Sequence, residues 1–316
     1  MPRESIQEPI HLLNNICEEA REKKKELWIC FQDTTKAFDT VNLEMLQKAM
    51  ERIKIPNKAT KFIINLFRNR VLKAITDYGH TQDIIAGNGL DQGKTISPLL
   101  WRIFYDPLLH KIQKNSQLGY KMKVSWHQDL NHSKETTLEL HTAAMAFMDN
   151  TIWIALFKTN MQKILDEAVI FYKANDSQIN GRKSALITIN APKQDSKGDI
   201  FIGPNRESLI KMGENEFTRY LGVWLGEKDH KKFTINLFQR EILHITQALK
   251  NKISTDEQAL YILNRVLIPR LEYRFQHCFL TENKCKKLSE IYGKLQKLYK
   301  YIQDMFKQYN ASQRNL

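Results

Sequence analysis

Long apolar runs are missing from this chain. None approaches the ~18 consecutive apolar residues of a membrane-spanning helix, so no membrane partner is expected. The first residues, MPRESIQEPIHLL, lack the basic start and apolar stretch of a secretory leader. Cysteine is scarce, and Cys17, Cys30, Cys278 and Cys285 form no C-x-x-C pair. That argues against a zinc ribbon or a disulfide scaffold and predicts reduced thiols in an intracellular protein. The nine histidines are dispersed, with none paired to Cys or His at metal spacing. Glycine and proline, at 12 and 8 residues, are too few for a disordered or low-complexity chain.

What is present is core material and positive charge. With 316 residues, 42% of them apolar and 10% aromatic, the chain can bury a real core as two domains or one domain with a large lobe. The formal net charge is +13. An excess of that size attracts polyanions by counterion release, which makes nucleic acid the leading partner; an ordinary basic soluble protein is the alternative.

Periodicity predicts a helix over 9–25 with Ile10, Leu13, Ile16 and Cys17 on one stripe, then a buried strand over 27–31. Helices follow over 42–52 and 57–70, the second capped by Asn57 and carrying Phe62, Ile63, Leu66 and Phe67. Residues 71–86 read as β with a turn at Tyr78-Gly79, and 96–112 as a helix. A polar loop over 127–136 precedes two strands, 138–147 and 151–157. A helix over 161–174, a strand over 184–189, an exposed stretch over 192–199 and a glycine-kinked strand over 217–225 come next. From about His230 the pattern is helical to the end, with Ser254-Thr255-Asp256-Glu257 as a capping box. The expected fold class is therefore α+β, with an all-helical lobe after the mixed body.

Three constellations carry chemistry. Asp33, in Phe31-Gln32-Asp33-Thr34-Thr35-Lys36-Ala37-Phe38-Asp39, ends an apolar strand and can hold a metal; capping a helical turn is the bland reading. Asp149-Asn150 lies between two apolar strands, where a plain hairpin turn explains it equally well. Two strand-end carboxylates in one basic chain fit the two-ion apparatus of in-line nucleotidyl transfer. In Gly89-Leu90-Asp91-Gln92-Gly93-Lys94-Thr95-Ile96-Ser97-Pro98-Leu99-Leu100, glycines before a helix allow close backbone approach to a ligand. Its G-K-[ST] spacing is not that of a P-loop.

These segments, in this order, resemble the palm of a reverse transcriptase, most of all those of non-LTR (LINE-type) retrotransposons. Asp33-x-x-Lys36-Ala37-Phe38-Asp39-x-Val41 is similar to that family's first catalytic motif. Gly89-x-x-Gln92-Gly93-x-x-x-Ser97-Pro98-Leu99-Leu100 is similar to its template- and nucleotide-positioning motif, and Phe147-Met148-Asp149-Asn150 to its Phe/Tyr-Ala-Asp-Asp turn. Asn180-Gly181-Arg182-Lys183-Ser184 and Tyr220-Leu221-Gly222-Val223 match its lysine motif and primer grip. The resemblance implies an antiparallel palm sheet with packed helices and partial fingers over 1–228, and a helical thumb over 229–316. It implies a DNA polymerase that copies an RNA or DNA template by extending a DNA primer with dNTPs, using two Mg²⁺ (or Mn²⁺) ions.

On that resemblance Asp33, Asp149 and the Thr34 carbonyl are the metal ligands, and Phe38 is the gate against a ribose 2′-hydroxyl. Gln92 and Gly93 contact nucleotide and template, Lys183 lies near the phosphates, and Tyr220, Leu221 and Gly222 grip the primer. Two departures weigh on activity. Asn150 stands where the family's turn has a second catalytic Asp, and Met148 where it has a small Ala. The chain also starts shortly before Asp33, so most of the fingers are expected to be missing, as in a fragment of a longer element protein. A nucleic-acid-binding relic and a helical protein-interaction module are the competing readings. The lysines from Lys284 to Lys307 alternate with apolar residues, as on an amphipathic helix or a duplex-binding face.

Overall fold

The computed structural model describes residues 6–127, 135–192, 200–209, 211–228, 231–250, 255–267 and 269–270. The lysine-rich tail, Ser254 and most of the 192–199 stretch lie outside these residues. The chain divides into two compact units, Met1–Glu216 and Phe217–Leu316.

The first unit is built on a four-stranded antiparallel sheet in the order β10-β1-β9-β8. Its strands are β1 (Leu27–Gln32), β8 (Ala144–Phe147), β9 (Asn150–Ala155) and β10 (Ala185–Ile189). β1 is central, and all six of its residues are buried. Trp28 and Cys30 join the main core. Leu27, Ile29 and Phe31 point the other way by the alternation of the strand and are buried as well. Each fully buried Leu or Ile side chain contributes about 1.5–3 kcal/mol, so β1 is firmly anchored.

Helices cover the sheet. α1 (Gln7–Glu22) packs on β10, and α5 (Lys158–Ala174) on β1 and β9. α4 (Ser97–Lys114) packs on β8, on α5 and on α2 (Leu43–Arg52), which in turn holds α3 (Asn57–Asn65). Asn42 caps α2, its Oδ1 accepting from the amides of Glu44 at 3.0 Å and Met45 at 3.1 Å. Asn57 is instead the first helical residue of α3; Pro56 is the cap position and offers no side-chain bond. The buried face of α3 carries Thr60 and Ile64, with Phe67 just beyond, while Phe62 and Leu66 are exposed.

Between α3 and α4 the chain forms two nested hairpins: β2 (Arg70–Leu72) with β5 (Ile84–Ala86), and β3 (Ile75–Thr76) with β4 (Gly79–His80). The strand expected over 138–147 is two strands. β7 (Glu135–Thr142) pairs with β6 (Tyr120–His127), so His127, Glu135 and Thr136, expected in a polar loop, are strand residues, and β8 then pairs with β9. Ala143 separates them, fully buried. A small hairpin, β11 (Ile200–Ile202) with β12 (Glu207–Leu209), completes the unit.

The second unit starts with the hairpin β13 (Phe217–Tyr220) and β14 (Val223–Gly226), where a single kinked strand was expected. Leu221 and Gly222, both at positive φ, make the turn. α6 (Lys231–Lys250) follows, and Phe233 stacks on Phe217 at 4.3 Å between ring centroids. That packing joins the hairpin to α6. The capping box before α7 (Asp256–Tyr261) is one residue later than expected. Thr255 Oγ1 accepts from the Gln258 amide at 3.3 Å, and Gln258 Oε1 from the Thr255 amide at 3.1 Å. Among the described residues no helix is long and apolar enough to cross a membrane.

Glu19 ties α1 to the rest of the first unit. Its buried carboxylate accepts from Lys25 at 2.7 Å, from Lys23 at 2.9 Å and from the Tyr120 hydroxyl. Burial alone would raise its pKa, but these three donors outweigh it and hold the carboxyl down from 4.5 to about 2. A depressed carboxyl stabilises the fold above its ordinary pKa, and that stability is lost as pH falls through the folded value. Denaturant midpoints of the parent chain should therefore fall between pH 4.5 and 2 with a component that Glu19→Gln lacks. At neutral pH Glu19→Gln should cost about 1–3 kcal/mol.

Candidate active site

Asp33 immediately follows β1, and Asp149 immediately precedes β9. The two strands are adjacent and antiparallel, with Gln32 opposite Thr151. Both carboxylates therefore emerge at the same end of neighbouring strands, although 115 residues separate them along the chain. Met148 and Asp149 form the turn between Phe147 and Asn150, which are paired. Met148 adopts φ 55°, a left-handed conformation that costs a residue with a Cβ about 1–3 kcal/mol. Trp101 on α4 holds that turn by donating its indole N–H to the Met148 carbonyl at 2.7 Å.

The loop after β1 is clamped from the other side by residues 178–184. The Thr35 amide donates to the Gln178 carbonyl, and the Asn180 amide to the Asp33 carbonyl, each at 2.9 Å. These two bonds form the bridge between Thr34 and Ile179 and leave the Thr34 carbonyl out of it. Ser184 Oγ accepts from the Asp33 amide at 3.2 Å and donates to the Asn180 carbonyl at 2.8 Å. Lys183 sits in the same turn, its amide donating to Asn180 Oδ1 at 3.2 Å.

A third stretch hangs on the first. The Leu90 amide donates to the Phe38 carbonyl at 2.8 Å, and the Gly89 amide to the Val41 carbonyl at 2.9 Å. Asp91 pairs with Arg70 and with Lys94, while its carbonyl accepts from Ser97 Oγ at 2.7 Å. The Phe38 ring lies 5.5 Å from that of Trp101. One indole thus contacts both Phe38 and the turn carrying Asp149.

These stretches enclose one cavity of about 340 Å³, lined by Asp33, Thr34, Phe38, Gln92, Asp149 and Lys183, with Thr35, Lys36, Ala37 and Asn180. Gly93 and Asn150 do not line it. Asn150 is exposed, as the first residue of β9. Tyr220, Leu221 and Gly222 belong to the second unit. Burial raises the Asp33 pKa, the Asp149 charge raises it further, and Lys183 opposes both. Sequence reasoning gave no role to Trp101, Asn180 or Gln32. The signal for Gln32 was there: a carboxamide in an otherwise apolar buried strand requires partners.

Residues 2–225 match the family described as reverse transcriptase (RNA-dependent DNA polymerase). The chain belongs to that reverse transcriptase family. It is 24% identical over 277 residues to the retrovirus-related Pol polyprotein of the type-1 retrotransposable element R2 of Nasonia vitripennis, covering 86% of this chain and 25% of that protein. A Popillia japonica R2 polyprotein is 25% identical over 271 residues, covering 84% of this chain and 41% of the other. The chain therefore spans between a quarter and two fifths of the length of these relatives. Among solved structures, apo telomerase from Candida tropicalis, truncated from its C-terminal domain, aligns over 71% of this chain and 39% of its own. The TM-score is 0.47 and the identity 13%.

The cavity's donor set suits divalent cations. It holds the carboxylates of Asp33 and Asp149, and among the described residues neither is in an ion pair. The buried Thr34 hydroxyl oxygen has no hydrogen-bond partner. Hard cations take such oxygen ligands. Among the described residues no group of three or more His, Cys, Asp or Glu could hold an ion. The Asp33 and Asp149 carboxylates and the Thr34 hydroxyl are among the oxygen groups that line the cavity.

The glycine loop makes a separate claim. Gly89 has φ +91°, and a Cβ there would lie 2.5 Å from the Asp39 carbonyl oxygen; at Gly93, φ +95°, a Cβ would meet nothing within 4 Å. Both alanine variants would strain the backbone by about 1–2 kcal/mol. Gly89→Ala alone also forces the loop off Asp39, so its unfolding midpoint should fall clearly further than that of Gly93→Ala.

Proposed function

We propose that this chain is the palm-bearing part of an RNA-directed DNA polymerase from a non-LTR retrotransposon, extending a DNA primer on an RNA or DNA template. The observation that carries the reading is the single cavity lined by Asp33, Thr34, Phe38, Gln92, Asp149 and Lys183, drawn from four separate stretches of the chain. In the reaction, the primer 3′-hydroxyl gives up its proton to solvent and its oxygen forms a bond to the α-phosphorus of a dNTP. The bond from that phosphorus to the bridging oxygen breaks, and pyrophosphate leaves. A pair of Mg²⁺ (or Mn²⁺) ions, when bound, stabilises charge on the attacking and leaving oxygens.

The chain's own groups do the rest. Asp33 and Asp149, with the Thr34 carbonyl, would hold the ions at the primer end. Lys183 balances the phosphates, and the Phe38 ring, braced by Trp101, crowds the ribose 2′ position. Gln92 and Gly93 face nucleotide and template from the loop before α4. We assign 1–228 to partial fingers and palm, with Tyr220, Leu221 and Gly222 as the primer grip, and 229–316 to a thumb-like region. Similarity to R2 polyproteins supports the retrotransposon assignment.

A cavity of about 420 Å³ within the second unit, lined by Arg219, Trp224, Arg240, His244 and Arg270 among others, with Glu241 paired to Arg270 at 2.9 Å, carries a net excess of basic groups that supports nucleic-acid binding. Primer–template duplex should bind with little sequence preference. Its affinity should fall steeply between about 50 and 200 mM salt, which filter binding at several salt concentrations would read. Affinity independent of salt would mean that the positive charge serves another purpose.

Primer extension on poly(rA)/oligo(dT) with Mg²⁺ or Mn²⁺ tests the chemistry. The parent chain should extend, and Asp149→Ala should abolish extension. Because Asn150 is exposed and outside the cavity, Asn150→Asp should raise extension by less than about tenfold, under 1.4 kcal/mol of barrier. Phe38→Ala should admit ribonucleotides. A chain that binds duplex without extending it under any of these conditions would be a binding protein only.

A further inference from the structure

Beneath the carboxylates lies a buried polar network that no step of the proposed reaction uses. Gln32, the last residue of β1, is 4% exposed, although its side chain is a carboxamide within an apolar core. Its Nε2 donates to the Tyr172 hydroxyl at 2.5 Å and reaches the Tyr105 hydroxyl at 3.4 Å. Its Oε1 accepts from the Trp153 indole N–H at 2.9 Å. The two tyrosine hydroxyls are bonded to each other at 2.7 Å, and Thr151 Oγ1 donates to that of Tyr105 at 3.2 Å. All five residues are at most 4% exposed.

The network's place in the fold gives it meaning. Gln32 is bonded in sequence to Asp33, and Thr151 lies two residues after Asp149. The two are register partners across β1 and β9. Tyr105 comes from α4 and Tyr172 from α5. The carboxamide therefore joins the two carboxylate-bearing strands to both helices packed beside them, at the last position of β1 before Asp33 and opposite the second position of β9 after Asp149. An apolar residue at position 32 would pack there, but it would leave the Trp153 N–H and the tyrosine hydroxyls short of partners. Buried polar groups without partners are costly.

We propose that Gln32, with Tyr105 and Tyr172, is a positioning device that fixes the separation and orientation of the Asp33 and Asp149 carboxylates. It touches neither substrate nor ion; it sets the strand ends from which both acids project. The inference rests on the reading of those acids as a cation site. Groups that orient metal ligands from behind typically account for about 10–100-fold in metal affinity, which sets the scale expected here.

The test is the Mn²⁺ affinity of the intact chain, with Mn²⁺ alone as the probe, followed by electron paramagnetic resonance. Gln32→Met and Tyr172→Phe should each weaken Mn²⁺ binding, the first by about tenfold or more. The double variant should lose little beyond Gln32→Met, because both break one network. Ile112→Ala, in the same core but outside the network, destabilises the fold through lost packing and should leave Mn²⁺ affinity unchanged well below its melting temperature. Equal affinities for Gln32→Met and the parent, with binding lost in Asp149→Ala, would overturn the positioning role and leave the cation site standing. A loss in Ile112→Ala as large as in Gln32→Met would also overturn it, since general loosening would then suffice. If Asp149→Ala binds Mn²⁺ like the parent, the cation site itself falls, and the positioning role with it.

Discussion

The antiparallel pairing of β1 with β9 is the constraint on which the site depends. Strands in a sheet lie about 4.8 Å apart, so register decides which residues become neighbours. With Gln32 opposite Thr151, Asp33 and Asp149 both fall just beyond the paired segment, on the same side. A slip of one residue would turn every side chain of β1 to the opposite face. Trp28 and Cys30 would leave the core, and the acid would move off the sheet end. Holding Asp33 ionised there has a cost, since its pKa is raised, first by burial and also by the Asp149 charge, with Lys183 opposing. Burial along β1 and β9 offsets it, since Ile152, Trp153, Ile154 and Ala155 are all fully buried.

The helix α4 supplies a second constraint, from the side. Trp101 stacks on Tyr105 with 5.3 Å between ring centroids and contacts Phe38, and its indole also holds the turn at Met148. Tyr105, one turn further on, enters the Gln32 network. A single helical face therefore braces the ring proposed to gate the sugar, the turn bearing one acid and the strand bearing the other. Leu100, Phe104 and Leu108 anchor that face in the core. The residues lining the cavity thus need few direct contacts among themselves, because shared supports behind them set their geometry.

Much of this was legible in the sequence because the main signals are local and periodic. The apolar stripe of α1 and the run in β1 follow from side-chain patterning alone, and the order of motifs pointed to the palm. The cap at Asn42 was not expected, and Asn57, expected to cap α3, does not. What escaped were features decided by partners distant in the chain. Nothing local says that 138–147 must break at Ala143 so that its halves pair with different strands. The turn of Phe62 to solvent reflects how α3 lies against α2, since Phe62 and Phe67 are equally apolar. The capping box shifted by one because Thr255 has a glutamine, Gln258, three residues on, and either Glu or Gln serves. Within the site, Asp33, Phe38, Gln92, Asp149 and Lys183 could be named from motifs, and all of them line one cavity. Trp101 and Gln32 could not, because their roles exist only once β1, β9, α4 and α5 are packed together.

The central claim is that Asp33 and Asp149 together form one divalent-cation site. It is tested most directly by crystallising the intact chain with Mn²⁺ and recording the anomalous signal of the metal. The account predicts anomalous density between the two carboxylates, in contact with both, with any second ion about 3.5–4 Å away. Carboxylates too far apart to share an ion, or manganese bound elsewhere with none between Asp33 and Asp149, would contradict it.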